Sequence, residues 1–300
     1  MKKTKVGVIG CGYMGQNHCR IYSELPEADF IAASDVLDKN QELSKYHINF
    51  STNFSDILDG LAAVSITAQT SAHYSIANAC IERGIHCLIE KPFCASIKEA
   101  HNLVDLAKKK NIILMIGYVQ RFNPAFQKLR ELIGNADILA VESRRMHPPL
   151  KRANDVSAVY DLMSHDIDLI LSLVKSAPQT IHALGKTVNS RLDHIVAEVK
   201  FKSNIIANMT ASKISQAPVR ELNILCRDRL FRLDLLANAL TVFHGTQAAE
   251  SIPVPSNEPL KAELAHFISC VYNEQIPIIT GEDGLRDLDL IEQIERLVKE

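Results

Sequence analysis

The sequence predicts a two-domain α/β protein, with a doubly wound parallel sheet over residues 1–120 and an α+β domain over residues 121–300. Up to residue 118, apolar strand-like runs alternate with helical patterns, which is typical of parallel strands joined by crossover helices. From residue 181, runs rich in β-branched residues follow one another across short turns. That pattern predicts an open, largely antiparallel sheet in the second domain.

The first domain is expected to contain three long helices between its strands. The helix over 96–110 is the clearest, because its apolar side has an i, i+3, i+4, i+7 pattern, formed by Ile97, Ala100, Leu103, Val104 and Ala107. Ser96 and Glu99 form a capping box at its start. The expected strands are 5–9, 30–34, 61–67, 85–89 and 112–116, and the other helices are 14–24 and 71–83.

The second domain begins after Asn123-Pro124 with a helix over 124–133 and a strand over 137–146. A basic irregular stretch over 147–155 precedes a helix over 159–175. The expected sheet strands are 181–188, 194–202, 205–214, 220–227, 230–236 and 239–244, and helices 259–273 and 283–298 close the chain. An open sheet of this kind predicts a homodimer or homotetramer that assembles through it.

Composition excludes several classes of protein. The formal net charge is -2 and no sustained basic stretch occurs, which argues against a nucleic-acid partner. The seven cysteines are scattered without metal-ligand spacing, so we expect a reducing, cytoplasmic location and no metal site. The sequence shows neither a signal-peptide pattern nor an apolar run long enough to span a bilayer, so no membrane association is expected.

The first predicted strand runs directly into a glycine turn. Gly10 permits the tight turn, Gly12 lets the backbone approach a pyrophosphate, and Gly15 lets the next helix pack close to the strand. The N–H groups and the positive dipole end of that helix would face the phosphates. The predicted cofactor contacts of this turn are Gly10, Cys11, Gly12, Tyr13, Met14 and Gly15.

Asp35 ends the second predicted strand, twenty residues after Gly15. A carboxylate there can accept both hydroxyls of an adenosine ribose. A 2′-phosphate would face a like charge, at a cost of at most about 4 kcal/mol at 4 Å. The nearest following cation is Lys39, so the sequence predicts NAD in preference to NADP.

Glu90-Lys91-Pro92 follows the strand over 85–89 directly. The carboxyl ends of the strands line the ligand crevice of a doubly wound sheet, so Lys91 is expected beside the nicotinamide. The proline stiffens the lysine's base because it fixes the backbone there. A solvated surface lysine is the alternative.

Asp161 and His165 are four residues apart, so on an α-helix they share one face and can touch. A neighbouring carboxylate raises the pKa of a histidine and fixes its tautomer, which suits a general base near neutral pH. The alternative is an ordinary helix pair.

These motifs, in this order, resemble the Gfo/Idh/MocA oxidoreductases over residues 5 to about 290. The resemblance rests on the glycine turn, Thr70-Ser71-Ala72-His73-Tyr74, Glu90-Lys91-Pro92, Gly117 with Arg121-Phe122-Asn123-Pro124, and Asp161 with His165. It implies an N-terminal NAD(P) domain, hydride transfer at a ring carbon of a sugar or cyclitol, and Lys91, Asp161 and His165 as the catalytic residues. Thr70, His73, Glu90, Lys91 and Arg121 are added, with Asp35, to the expected cofactor contacts.

The stretch from Arg145 to Asp168 is similar to a branch of UDP-N-acetylglucosamine 3-dehydrogenases and related nucleotide-sugar enzymes. Tyr118 stands where that branch often has histidine. The expected substrate contacts are Lys91, Tyr118, Arg145, Arg152, Asp161 and His165, with the arginines facing a diphosphate. Dehydrogenation of a free sugar or inositol, and a non-catalytic NAD-binding sensor, remain alternatives.

In the mechanism that follows, His165 accepts a proton from the substrate hydroxyl and Asp161 orients the imidazole. Lys91 hydrogen-bonds the same oxygen and stabilises its developing negative charge. Proton transfer of this kind contributes about 10²–10⁴ in rate.

Overall fold

A computed structural model describes residues 3–149, 156–188 and 191–298 of the chain. The chain divides into two compact units, the first comprising residues 1–118 with 260–288, and the second residues 119–259 with 289–300. The first division falls two residues before the predicted boundary at 120. The return of residues 260–288 to the first unit differs from the prediction, which assigned everything after 120 to the second domain.

The first unit is a parallel sheet with the strand order β3-β2-β1-β4-β5-β6. Its strands are β1 Thr4–Ile9, β2 Ala28–Ser34, β3 Asn49–Ser51, β4 Ala63–Ile66, β5 His86–Glu90 and β6 Leu114–Gly117. Its helices within residues 3–118 are α1 Tyr13–Glu24, α2 Asn40–Leu43, α3 Thr70–Glu82 and α4 Ile97–Lys110. The doubly wound fold class is therefore confirmed.

Local signals set the ends of these helices. The hydroxyl of Ser96 accepts a hydrogen bond from the backbone N–H of Glu99 at 3.3 Å, and the Glu99 carboxylate accepts one from Ala95 N at 3.2 Å. Asn111 ends α4 in the left-handed conformation, with φ of 55°. The predicted capping box thus starts α4 where the sequence placed it.

The last part of the chain covers the edge of the first sheet. Thr280 forms an antiparallel bridge with Met115 of β6. A Cβ on Gly281 would lie 2.8 Å from a Leu114 methyl group, and one on Gly284 2.5 Å from Ile116. The helices involved are α7 Pro259–Asn273 and α8 Gly281–Leu297. The apolar stripes of these helices predict a buried face, but not which sheet covers it.

The second unit is built on a sheet with the order β14-β13-β12-β11-β7-β10-β9-β8. Its strands are β7 Ile138–Met146, β8 Pro178–Val188, β9 Arg191–Phe201, β10 Ile206–Ser212, β11 Val219–Cys226, β12 Leu230–Asp234, β13 Ala239–Phe243 and β14 Glu250–Ile252. Neighbouring strands are antiparallel except β7 and β10, which run parallel. The predicted open, largely antiparallel sheet is confirmed.

One face of this sheet packs on α5 Pro124–Ile133 and α6 Ser164–Val174. Asn123 starts α5 by accepting hydrogen bonds from the backbone N–H groups of Ala125 and Phe126 at 3.0 and 3.3 Å. The predicted helix over 159–175 is instead two segments, a π-helical turn over Val159–Met163 followed by α6. None of the helices in the described residues has the length and hydrophobicity that a membrane span requires.

Candidate functional site

The turn between β1 and α1 requires glycine at two of its three glycine positions, Gly10 and Gly15. Gly10 has φ of +95°, and a Cβ there would lie 2.6 Å from Ala68 Cα. A Cβ on Gly15 would collide with the Gly10 carbonyl oxygen, whereas Gly12 has nothing within 4 Å of a built Cβ. Two glycines therefore allow close packing of β1, α1 and the loop after β4. The third leaves open space at the helix N-terminus.

Asp35 is tied to the same turn. Its Oδ2 accepts a hydrogen bond from the backbone N–H of Cys11 at 2.6 Å, and its Oδ1 accepts one from Leu37 N at 2.9 Å. Cys11 is fully buried, so the small side chain fits where a larger one would not. Asp35 thus buttresses the glycine turn as well as presenting carboxylate oxygens at the end of β2.

These residues fit a dinucleotide. The open side of Gly12 leaves room for a pyrophosphate against the first turn of α1, where helical N–H groups lack intrahelical partners. Tyr13 and Met14 begin that turn, with Tyr13 exposed. The sequence did not identify Thr67, whose hydroxyl donates to the Gly10 carbonyl oxygen and holds the turn against β4.

The Lys91 segment begins directly at the end of β5. Glu90 is the last residue of that strand, one position later than predicted, and the Lys91–Pro92 peptide bond is cis. His73, at the start of α3, is buried, with Nδ1 3.0 Å from the Pro92 carbonyl oxygen and Nε2 3.0 Å from the Ala68 carbonyl oxygen. His73 therefore braces the backbone beside Lys91, and both of its ring nitrogens already have partners.

Glu90 pairs with a histidine that the sequence did not single out. Its Oε1 lies 3.2 Å from Nε2 of His18, a fully buried side chain on α1, and its Oε2 accepts from Lys91 N at 3.2 Å. Gly117 packs against the same carboxylate, because a Cβ at this position would lie 3.1 Å from Oε1 of Glu90. The Glu90 carboxylate thus contacts α1, β6 and the backbone N–H of Lys91. These contacts fix the position of the Lys91 backbone.

The remaining predicted residues of the first unit lie around this segment. Thr70 is the first residue of α3, and Tyr118 is buried directly after β6.

In the second unit, Asp161 lies on the π-helical turn and His165 on the first turn of α6. The wider turn means that the α-helical i, i+4 geometry assumed from the sequence does not describe this segment, and such π turns occur frequently at functional sites. The Asp161 carboxylate forms an ion pair with Lys213 Nζ at 3.0 Å. The ammonium group also donates to the Val156 carbonyl oxygen at 2.9 Å.

The predicted arginines are engaged by carboxylates of α6. Arg145 is buried on β7, and its Nε and Nη2 donate to Asp166 Oδ1 at 3.0 and 2.7 Å. Arg121 is also buried and forks onto both oxygens of Asp168, at 2.7 to 3.0 Å. A substrate or cofactor phosphate would compete with these pairs. Arg152 lies outside the described residues.

Burial dominates the electrostatics of Asp166. It raises the pKa of this carboxyl, while the Arg145 guanidinium acts in the opposite direction. The described charged side chains of this segment therefore form three ion pairs that are mostly buried, Arg121–Asp168, Arg145–Asp166 and Lys213–Asp161.

Comparison with known proteins gives two family matches. Residues 4–118 match the family described as "Oxidoreductase family, NAD-binding Rossmann fold", and residues 126–231 match the "GFO/IDH/MocA C-terminal domain". A UDP-N-acetylglucosamine 3-dehydrogenase of Acidithiobacillus ferrooxidans is 29% identical, covering 100% of this chain and 98% of that protein. A solved structure of that enzyme has a TM-score of 0.95 and covers 100% of this chain and 99% of its own. A scyllo-inositol 2-dehydrogenase (NAD(+)) of Bacillus subtilis is 22% identical, over 96% of this chain and 92% of its own.

Proposed function

Because this chain belongs to the Gfo/Idh/MocA oxidoreductase family, with an NAD-binding Rossmann unit, we propose that it oxidises or reduces a ring carbon of a nucleotide sugar. The substrate class that we propose is UDP-N-acetylglucosamine or a close analogue, with reaction at C3. The full-length similarity to a UDP-N-acetylglucosamine 3-dehydrogenase is the observation that carries this proposal.

We further propose that NAD is used in preference to NADP. Asp35 presents its carboxylate at the end of β2, where a 2′-phosphate would face a like charge. Lys39, the nearest cation along the chain, donates to Glu42 Oε1 at 2.8 Å, and this hydrogen bond raises the pKa of the lysine. The cation that could offset the phosphate is therefore already paired with a carboxylate.

The bound cofactor supplies the hydride acceptor or donor, and the protein supplies the proton transfer and the charge stabilisation. In the proposed mechanism, His165 accepts the hydroxyl proton of the substrate. Asp161, held by Lys213, orients the imidazole. Lys91 donates a hydrogen bond to the substrate oxygen as negative charge develops, on a backbone fixed by Glu90 and His73.

NADH absorbance tests the proposal directly. UDP-N-acetylglucosamine, free N-acetylglucosamine and myo-inositol are each offered with NAD. We expect turnover with the nucleotide sugar, and a fall of about 10²–10⁴ in kcat for His165→Ala while NADH binding persists. His101→Ala, an exposed histidine on α4, is the matched control. Turnover of a neutral sugar with no response to any nucleotide sugar would contradict the proposed substrate class.

A dehydrogenase of a free sugar or inositol is the second candidate, favoured by the similarity to the inositol dehydrogenase. A non-catalytic NAD-binding sensor would bind NADH without turning over any of the three compounds. The combination of Lys91, Asp161 and His165 argues against the sensor, since cofactor binding alone requires none of these side chains.

We also propose that the protein forms a homo-oligomer in the cytoplasm through the outward face of the second sheet. Four apolar side chains are exposed on that face, on β8, β9, β10 and, beyond β7, β11: Leu184, Val196, Ile206 and Leu225. The seven cysteines are all free and buried, which suits a reducing compartment. Light scattering after gel filtration should give a dimer or tetramer, and Leu184→Lys should shift it toward the monomer.

A further inference from the structure

On the covered face of the second sheet, Arg220 has no bonded carboxylate among the residues that the structure describes. Arg220 lies on β11 directly opposite Arg145 of β7, so the two side chains share a face. Leu222 and Ile224, two and four residues further along β11, are fully buried on that same face. Arg220 is half-buried, and no described residue forms a hydrogen bond or ion pair with its guanidinium.

The carboxylates near Arg220 already have other partners. The carboxylates that act on it are Asp166 and Asp161. Each of these is already bonded to another cation, Asp166 to Arg145 at 2.7 Å and Asp161 to Lys213 at 3.0 Å. Among the described residues, both carboxylates that act on Arg220 are therefore already bonded to another cation. Burial and the neighbouring Arg145 both lower the pKa of Arg220, so its charged form is held at a cost.

The position of Arg220 relates it to the proposed reaction. Asp161 is the predicted partner of His165, and Asp166 follows His165 directly in α6. Arg220 is thus close to two carboxylates of the segment that carries the proposed catalytic base. A guanidinium offers a planar fork that suits the oxygens of a phosphate, and a charged hydrogen bond of this kind is among the strongest in proteins.

We propose that Arg220 binds the diphosphate of the nucleotide sugar and is the residue that selects this substrate over a neutral sugar. This inference rests on the proposed function. It assigns the anion to a residue that bonds no carboxylate in the described part of the chain, whereas Arg145 would have to give up Asp166 to take the same role.

Kinetics and direct binding together test the inference. In Arg220→Gln, KM for UDP-N-acetylglucosamine should rise about 10- to 100-fold while kcat changes less than about threefold, because the lost contact is made in both ground and transition states. Arg220→Lys should recover part of the loss. Arg227→Gln, which removes an exposed arginine beyond the end of the same strand, should leave KM unchanged. An unchanged KM in Arg220→Gln would overturn the inference.

Calorimetric titration of the NADH-loaded protein with UDP separates this inference from the proposed function. If no sugar is turned over, the proposed function fails. In that case, UDP binding that weakens at least tenfold in Arg220→Gln still supports an anion site. Equal UDP binding by both proteins, or no UDP binding by the parent, overturns the inference. A variant that only lost stability, with UDP affinity intact, would show that Arg220 is purely structural.

Discussion

Lys213 offers the sharpest test of how the second unit prepares its histidine. The perturbation is Lys213→Met, which keeps the length of the side chain and removes the ammonium group. In the structure this group lies 3.0 Å from Asp161 Oδ2 and 2.9 Å from the Val156 carbonyl oxygen. The side chains of Lys213 and Asp161 are 7% and 18% exposed, so the pair is largely shielded from water.

The magnitude follows from that geometry. Two unit charges 3.0 Å apart attract by about 5 to 6 kcal/mol at an effective dielectric of about 20. Desolvation of both ions offsets much of this attraction, so we expect the free energy of unfolding to fall by about 1.5–3 kcal/mol. Loss of the ammonium also leaves the negative charge of Asp161 uncompensated near His165. The imidazole should then hold its proton to higher pH, and the acidic limb of kcat/KM should move upward.

Urea unfolding and a pH–rate profile with the nucleotide sugar measure these two effects. Lys202→Met, which alters an exposed lysine in a turn of the same sheet, is the matched control. If the acidic limb of the pH–rate profile stays at the same pH and kcat/KM stays within twofold of the parent, the expected coupling is refuted. Lys213 would then not act on His165 through Asp161.

Three further outcomes are expected. Gly15→Ala should abolish NADH binding measured by fluorescence, since its Cβ would collide with the first carbonyl of the glycine turn; retained affinity would contradict the packing argument. Asp168→Asn should lower the free energy of unfolding by about 3–5 kcal/mol because it leaves a buried guanidinium uncompensated, whereas Asp137→Asn, in an exposed pair, should change it by less than about 1 kcal/mol. His86 and His266 each accept a backbone N–H, at 2.9 and 3.0 Å, and burial lowers the pKa of both. Below about pH 6.5 the unfolded chain therefore binds more protons than the folded chain. The melting temperature should fall as the pH drops from about 7.5 to about 5.5. The fall should be smaller in a double variant with His86→Gln and His266→Gln.

Local signals explain which elements the sequence predicted well. Helix α5 begins and ends where predicted because Asn123 caps it and Gly134 stops it, and both act within one turn. The short strands β3 and β14 were missed because three residues are too few to establish a period. The π-helical turn was read as α-helix because an apolar pattern does not reveal one inserted residue.

Long-range pairing explains most of what the sequence did not predict in the site. The glycine turn and Asp35 follow a fixed spacing, so their contact could be expected. The Asp161–Lys213 pair joins positions 52 residues apart, and no local pattern marks it. The resemblance of the segment from Arg145 to Asp168 suggested Arg145 as a phosphate contact, but a carboxylate from α6 engages it.

The return of residues 260–288 to the first unit has a consequence for biosynthesis. A ribosome delivers the β6 edge long before Thr280 and Gly284, which cover Met115 and Ile116. The apolar edge at β6 therefore stays uncovered until more than 150 further residues have been translated. Truncation after residue 259 would leave that edge bare, so loss of this later segment would expose a sheet that is made much earlier.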